Sequence, residues 1–456
     1  MPTTFAIESA ETALHGRKVL LVGLGRSGMA ALKLLVAKGA RVNVTDEAEV
    51  SRLGPGLMEA SQYAEKIGVG GFREDWFDRA ELIVVSPGVP LAHEIFRAPR
   101  RRGVPIVAEV ELASWFVSIP VLGVTGSNGK STVTALAGEM LRASGRLPFV
   151  GGNLGVALSH LPLAREEHDI AVVELSSFQL EATDRLHPIA ALITNLTPNH
   201  QDRYPSFDDY VRAKLNIFRR MEAGDTSILN ARDDGTARHA KNPPGRVWWF
   251  GDSDRPGAFA RDGKLHIATD ALTCALDLAS YRLPGAHNVE NLEAAALLAL
   301  AGGATPEGIA AAMASFPGLD HRLEFVLDSQ GVRYVNDSKA TSVDAVATAL
   351  EAMNGRVILL LGGHDKGGDF TQLADLLRSR VRLAICFGES GPKIAGQLAG
   401  IVAVETASRL DDAFVKAIAA ESPGDTVLLS PGCTSHDAYR DFEQRGEHFR
   451  ELCRAL

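Results

Sequence analysis

Residues 123–141 read GVTGSNGKSTVTALAGEML. An apolar strand, Val121–Thr125, runs into a Gly-rich loop, and Lys130, Ser131 and Thr132 open a helix. Backbone N–H groups of such a loop and the helix N-terminus suit polyphosphate; Lys130 can reach terminal phosphates and a hydroxyl can bind Mg²⁺. The strict phosphate-loop spacing wants Gly at position 124, where this chain has Val; its glycines are Gly123, Gly126 and Gly129. A Gly-rich turn before a helix is a common structural feature, yet Lys-Ser-Thr in this strand context favours the phosphate reading. A strand–loop–helix unit of this kind makes the fold α/β.

The rest of the chain repeats the pattern. Short Val/Ile/Leu runs, bounded by Gly or polar residues, suit strands buried on both faces of parallel sheets. They predict strands at Lys18–Val22, Arg41–Thr45, Leu82–Ser86, Ile170–Glu174, Ala190–Asn195, Ser227–Asn230, Val247–Phe250, Val332–Asn336, Val357–Leu361, Leu383–Phe387 and Thr426–Ser430. One strand–helix series ends near Ala108–Glu111, and a Pro-Gly break falls at Pro317–Asp320. Three domains are expected: 1–109, 110–318 and 319–456. The first and last are expected to be Rossmann-like, the central one a mostly parallel, phosphate-loop ATPase-like sheet.

Composition narrows the function. The 456 residues carry a formal net charge of −9, which argues against a general nucleic-acid binder. Four cysteines, with no CxxC pair, fit a reducing cytoplasm rather than a disulfide framework or zinc site. The N-terminal MPTTFAIESAETALHGRKV lacks the basic start and apolar core of a signal peptide, and no apolar run approaches the roughly 20 residues of a membrane span. A cytoplasmic protein with no membrane contact is expected.

A second Gly loop, GLGRSG, spans Gly23, Leu24, Gly25, Arg26, Ser27 and Gly28, and Asp46 ends the next strand about 20 residues on. Alone, this reads as a dinucleotide site or as a plain tight βα turn; a NAD enzyme, however, would not need the second loop with its lysine. Glu174 ends the strand IAVVE beside the phosphate loop, where an NTPase places its metal ligand. His200 and Asp202 follow in NHQDRY, and Lys214 lies on the next helix. Taken singly, a loop histidine and a helix lysine are ordinary surface residues. Asn288 and Asn291 sit at i, i+3 near a helix start, placed to read a base edge or to cap the helix. His321 and Arg322 follow the proposed linker; Asp337, Lys339 and Thr341, then Asp365 and Lys366, then Ser435 and Phe442, occupy strand-end loops. Ligands of open α/β sheets bind at the carboxyl ends of strands.

In order, TGSNGKST, ELSSFQLE, NHQDRY, RAKL, AHNVEN, HR, NDSKAT, LGGHDKGG and SPGCTSHDAYRDFEQRG resemble the Mur ligase family, nearly from end to end. Folylpolyglutamate synthetase resembles only the ATP half. The resemblance implies ATP-dependent ligation of D-glutamate to UDP-N-acetylmuramoyl-L-alanine through an acyl phosphate, in peptidoglycan precursor synthesis, by a monomer. It assigns UDP-substrate binding to Gly23, Leu24, Gly25, Arg26, Ser27, Asp46, Asn153, Ser176 and Gln179. ATP falls to Gly126, Ser127, Asn128, Gly129, Lys130, Ser131, Thr132, Asn288, Asn291, His321, Arg322 and Asp337. Two Mg²⁺ ions are implied, among Ser131, Thr132, Glu174, His200 and Lys214, the last carried as a carbamate. Glutamate falls to Lys339, Thr341, Lys366, Ser435 and Phe442, and catalysis to Lys130, Glu174, His200, Lys214, Asp337 and Lys339. Asn199 stands where relatives often carry Asp, and His436 and Tyr439 also depart from the family pattern. Handedness of the glutamate is not fixed by any sequence spacing. The other readings are a NAD-dependent oxidoreductase built on Gly23–Gly28 and Asp46, and a non-catalytic nucleotide-binding protein.

Overall fold

A computed structural model of the chain describes residues 14–199, 203–283, 285–353, 355–364 and 367–456. It holds three sheets. The first contains β1 (Lys18–Val22), β2 (Arg41–Thr45), β3 (Lys66–Gly68), β4 (Leu82–Val85) and β5 (Ile106–Ala108) in the order β3-β2-β1-β4-β5, all parallel. The order reverses at β1, so the carboxyl ends of β1 and β4 flank a crevice.

The second sheet contains β6 (Val121–Thr125), β7 (Pro148–Gly152), β8 (Ile170–Glu174), β9 (Ala190–Ile193), β10 (Thr226–Asn230) and β11 (Arg246–Phe250). It is extended by β12 (Gly257–Arg261), β13 (Lys264–Ala268) and β14 (Thr273–Asp277), in the order β14-β13-β12-β11-β10-β9-β6-β8-β7. Only the last three strands run as an antiparallel meander. The third sheet contains β15 (Glu324–Ser329), β16 (Val332–Asn336), β17 (Arg356–Gly362), β18 (Val381–Phe387), β19 (Val404–Ala407) and β20 (Asp425–Gly432), in the order β15-β16-β20-β17-β18-β19. β15 alone is antiparallel. Every residue of β4, β6, β8 and β20 is buried, which is why these strands read as unbroken apolar runs.

The described chain forms two compact units, one running through Arg282 and including Val289–Phe316, the other Leu283–Asn288 with Pro317–Leu456. The first two sheets belong to the former and the third to the latter. Within the first unit the β1–β5 and β6–β14 layers share one continuous core, in which Leu32 and Leu35 join Leu112, Leu158 and Val173.

All twelve expected strands are present, with differences at their ends. β4 ends one residue before Ser86, whose N–H still bonds Val22 O (2.9 Å) and whose hydroxyl donates to Gly23 O (2.8 Å). β9 stops before Thr194 and Asn195, whose side chains turn to the phosphate loop. The strands that the sequence pattern missed are short (β3, β5, β19), begin with Pro and end with Gly (β7), or are half-exposed strands of the antiparallel extension (β12–β14) and of the third sheet's edge (β15).

Candidate functional site

The phosphate loop is braced from β9. Asn128 N–H donates to Asn195 Oδ1 (2.9 Å), Ser127 N–H to Asn195 O (2.9 Å), and Thr194 Oγ1 to Asn128 O (2.5 Å). Gly129 caps the helix Lys130–Ala143 at φ +81°, a left-handed conformation that side chains resist. A Cβ there would also lie 2.3 Å from Asn291 Oδ1, which places Asn291 against the loop. Lys130 Nζ folds over the loop and donates to Gly126 O (3.0 Å) and Ser127 O (2.8 Å). Both are backbone acceptors that a phosphate oxygen can replace.

Beside the loop stand a carboxylate and a lysine. Glu174 is buried; Oε1 accepts from Asn153 Nδ2 (2.6 Å), while the buried Oε2 has no hydrogen-bond partner among the described residues. Strand pairing sets Glu174 opposite Val124, two residues before Gly126. Lys214 is 2% exposed; its Nζ donates to Gly126 O (2.5 Å), lies 3.5 Å from Thr125 Oγ1, and sits 4.7 Å from the Tyr210 ring centroid. Burial, reinforced by the Lys130 charge and opposed by Glu174, holds the Lys214 amine well below the usual lysine range. Tyr210, which sequence reasoning passed over, exchanges a hydrogen bond with Ser127 Oγ (3.0 Å), and burial pushes its phenol up to about 12. His200, Asp202 and Lys366 lie outside the described residues. Asn199 is exposed.

At the β1 crevice the Asp46 carboxylate accepts from Leu24 N–H (2.6 Å) and Ala48 N–H (2.8 Å). It therefore shapes the Gly23–Ser27 loop. Gly28 packs so close that a Cβ would lie 2.0 Å from Gly23 O. Gly25 and Arg26 are exposed and Ser27 half-buried. Gln179 is buried in a capping box: its Oε1 accepts from Ser176 N–H (2.9 Å) and Ser176 Oγ (3.0 Å). Ser176 and Gln179 thus fix the helix that follows Glu174.

In the second unit Asp337 is buried, accepting from Ser430 Oγ (2.8 Å) and Leu323 N–H (3.2 Å); burial pushes its carboxyl up to about 7. Lys339 Nζ lies 3.7 Å from the Phe442 ring centroid. Ser435 is buried and Thr341 half-buried. His321 adopts φ +62° and is buried with Nδ1 2.9 Å from Asn336 Nδ2. Arg322 carries a favourable charge interaction with Asp337, and Asn288 N–H donates to Gly285 O (3.1 Å). His436 is exposed, and Tyr439 OH pairs with His448 Nδ1 (2.7 Å). The organiser is Arg445, fully buried, which donates to Ser338 Oγ (3.0 Å), Ser338 O (2.8 Å) and Cys433 O (3.1 Å). One guanidinium thereby fixes the loops carrying Lys339 and Ser435. Its signal, an Arg within the FEQRG run that opens the last helix, was visible in the sequence but is indistinguishable there from a solvated helix arginine.

Three family models match the chain: "Mur ligase MurD-like, N-terminal domain" over residues 17–108, "Mur ligase middle domain" over 124–299, and "Mur ligase, glutamate ligase domain" over 321–433. A UDP-N-acetylmuramoylalanine–D-glutamate ligase of Desulfosudis oleivorans is 42% identical over 445 residues, 97% of each chain. One of Acidobacterium capsulatum is 43% identical over 444 residues, 96% of each. Among solved structures, a pseudomurein peptide ligase type C from Methanothermus fervidus superposes with TM-score 0.60 at 18% identity, covering 96% of this chain and all of that one (100%). The UDP-N-acetylmuramate-alanine ligase of Thermotoga maritima gives 0.60 at 19% identity, over 96% and 99%. At these identities the structural likeness speaks for the fold.

Proposed function

The chain belongs to the Mur ligase family, and we propose that it joins D-glutamate to UDP-N-acetylmuramoyl-L-alanine at the expense of ATP, in peptidoglycan precursor synthesis. The observation that carries this is end-to-end identity above 40% to ligases of that name, over a chain whose phosphate loop, Glu174 and Lys214 come together. The alanyl carboxylate has no usable leaving group. A carboxylate oxygen attacks the γ-phosphorus and the bond to the β,γ-bridging oxygen breaks, giving an acyl phosphate and ADP; the glutamate amine then attacks the acyl carbon, and phosphate leaves with its bonding pair as the amine loses a proton. The protein's task is mostly to place and neutralise anions.

In this reading Gly126–Thr132 and Asn291 hold ATP, and Asn288, His321, Arg322 and Asp337 are assigned to the nucleotide by family position. Asp46 shapes the Gly23–Ser27 loop around the UDP diphosphate, and Asn153, held to Glu174, meets the substrate beyond it. Lys339, Thr341, Lys366, Ser435 and Phe442 receive glutamate.

The residues fit Mg²⁺. The buried Glu174 oxygen without a partner among the described residues, and the hydroxyls of the buried Ser131 and half-buried Thr132 at the end of the phosphate loop, are hard-oxygen donors. Ser131, Thr132 and Glu174 would hold one ion, which would neutralise phosphate charge, and His200 would be a ligand of a second. Lys214 is buried with its Nζ against the Gly126 carbonyl, near the Thr125 hydroxyl and the Tyr210 ring, and its amine is held well below the usual lysine range; it would take up carbon dioxide as a carbamate, the nitrogen lone pair bonding the carbon as a proton leaves. The anion would serve the second ion of two.

We place the domain boundaries at 109/110 and 318/319. No described helix is long and apolar enough to cross a membrane. A cytoplasmic location and a monomeric state are what the family resemblance implies. Phosphate release dependent on both D-glutamate and UDP-N-acetylmuramoyl-L-alanine, and indifferent to NAD, tests the reading. Release that ignores the amino acid would refute it.

A further inference from the structure

Arg203 occupies a junction that the proposed mechanism does not use. Its side chain is 10% exposed, and its guanidinium donates to Pro87 O (2.9 Å), Val89 O (3.3 Å) and Glu181 Oε2 (3.2 Å) while lying 4.1 Å from the Phe178 ring centroid. Two acceptors belong to the loop after β4 in the first sheet; the third, and the ring, belong to the segment after β8 in the second. Each of those segments leads to chemistry. The loop after β4 begins with Ser86, whose hydroxyl donates to Gly23 O, and Val89 packs against Gly23. The other segment begins at Glu174 and is stiffened by the Ser176–Gln179 capping box between Glu174 and Glu181.

We propose that Arg203 is a positioning residue that fixes the distance between the two ends of one bound substrate: its UDP end at the Gly23–Ser27 loop and its reacting carboxylate at Glu174. This rests on the ligase reading above. Energy of binding a remote group accelerates a reaction only when a rigid link turns it into orientation at the reacting atoms. A planar fork stacked on a ring, with three acceptors on two layers, provides such a link; a lysine ammonium reaches fewer acceptors and does not stack as a plane. The layers do not depend on Arg203 for their attachment. Ala108 N–H donates to Ala182 O (3.0 Å), and the buried Glu111 carboxylate accepts from Asp184 N–H (2.9 Å), Arg185 N–H (2.9 Å) and Trp115 Nε1 (2.9 Å).

The test compares two substrates on the full chain: UDP-N-acetylmuramoyl-L-alanine, and N-acetylmuramoyl-L-alanine 1-phosphate, which lacks the uridine 5′-phosphate. Arg203→Ala should lower kcat for the UDP substrate by about 100-fold. It should change kcat for the truncated substrate less than about threefold, with the ATP KM unchanged. Arg203→Lys, which keeps the charge and the stem, should behave nearer to the alanine variant than to the parent. An equal fall for both substrates would show a merely structural residue and overturn the proposal, as would an undiminished kcat for the UDP substrate in either variant. Failure of the parent chain to turn over either substrate would instead sink the ligase reading itself.

Discussion

Asp46 and Leu24, 22 residues apart, are joined by a 2.6 Å hydrogen bond in which the Leu24 amide donates to the carboxylate. With Ala48 N–H on the other oxygen, the carboxylate is committed to backbone on both sides. Its first effect is to shape the loop proposed to hold the UDP diphosphate. Charged hydrogen bonds of this kind contribute about 1.5–3 kcal/mol. Asp46→Ala should therefore raise the KM for the UDP substrate by about 10–100-fold, with Asp46→Asn milder because one acceptor survives. The ATP KM should stay within a few-fold. Steady-state kinetics with each substrate varied in turn would check this, and an equal rise in both KM values would count against it.

Lys130→Ala should abolish ATP-dependent turnover and leave UDP-substrate binding intact. Lys130 Nζ donates to the Gly126 and Ser127 carbonyls of its own loop, a segment separate from the Gly23–Ser27 loop. Calorimetric titration with the UDP substrate, beside a turnover assay, separates the two effects. Substantial turnover at saturating ATP would remove Lys130 from the phosphate site.

The framework of this molecule was legible because buried parallel strands leave unbroken apolar runs, as in LIVV of β4 and IAVVE of β8. The meander β12–β14 left no such run: β14 alternates exposed and half-buried residues, so TCALD looks like a loop. Site residues were legible where the backbone itself imposes a pattern, as at Gly126, Gly129 and Lys130. Arg445 and Arg203 were not. Each acts by donating to backbone carbonyls of loops remote in sequence, and a carbonyl has no sequence signature. The commitment of Gln179 to its own helix cap was equally invisible, because a capping glutamine and a ligand-reading one look alike in sequence.

Lys214→Ala should be nearly inactive and should regain part of its activity in millimolar short-chain carboxylates. The side chain reaches a buried position beside Gly126 where the proposed carbamate would stand, and a small diffusible anion can occupy the space left by truncation. The parent chain, stripped of carbon dioxide, should lose activity and recover it on addition of bicarbonate. Full activity in rigorously degassed buffer would show that the bare amine suffices.

Glu109 gives a prediction about stability. Its carboxyl is wholly buried, accepts Ser159 N–H at 2.7 Å, and is pushed up by burial to about 7. The folded state thus holds a proton between about pH 4.5 and 7 that the unfolded chain has released. Stability must fall as pH rises through that window, by up to about 3 kcal/mol once ionisation in the fold is complete. Glu109→Gln removes the titration while keeping an acceptor for Ser159. The gap in Tm between variant and parent should widen in the variant's favour from pH 5 to pH 8. A gap independent of pH would mean that Glu109 ionises in the fold as it does in water.

The amino acid accepted should be one with two carboxylates. Lys339 lies over the Phe442 ring, in a loop that Arg445 ties to the Cys433 backbone, two residues from the buried Ser435 hydroxyl. Lys366, outside the described residues, supplies a second cation by family position. Glutamate brings its α-carboxylate and its side-chain carboxylate to such a region, and each needs a paired charge because an unpaired one is costly to desolvate. Lys366→Ala should therefore raise the glutamate KM by at least about tenfold, the loss of one charge-assisted hydrogen bond, and leave the ATP KM within a few-fold. A panel of D- and L-glutamate, D- and L-aspartate, meso-diaminopimelate and L-lysine reads the pocket directly. D-glutamate should lead, since the pocket is proposed to be that of the D-glutamate ligases. Aspartate should trail, because its two carboxylates stand one methylene closer together than those the pocket is proposed to receive. L-Lysine, whose side chain carries a cation where the pocket wants an anion, should not react. Preference for either diamino acid would refute the two-carboxylate pocket, and preference for L-glutamate would overturn its proposed handedness.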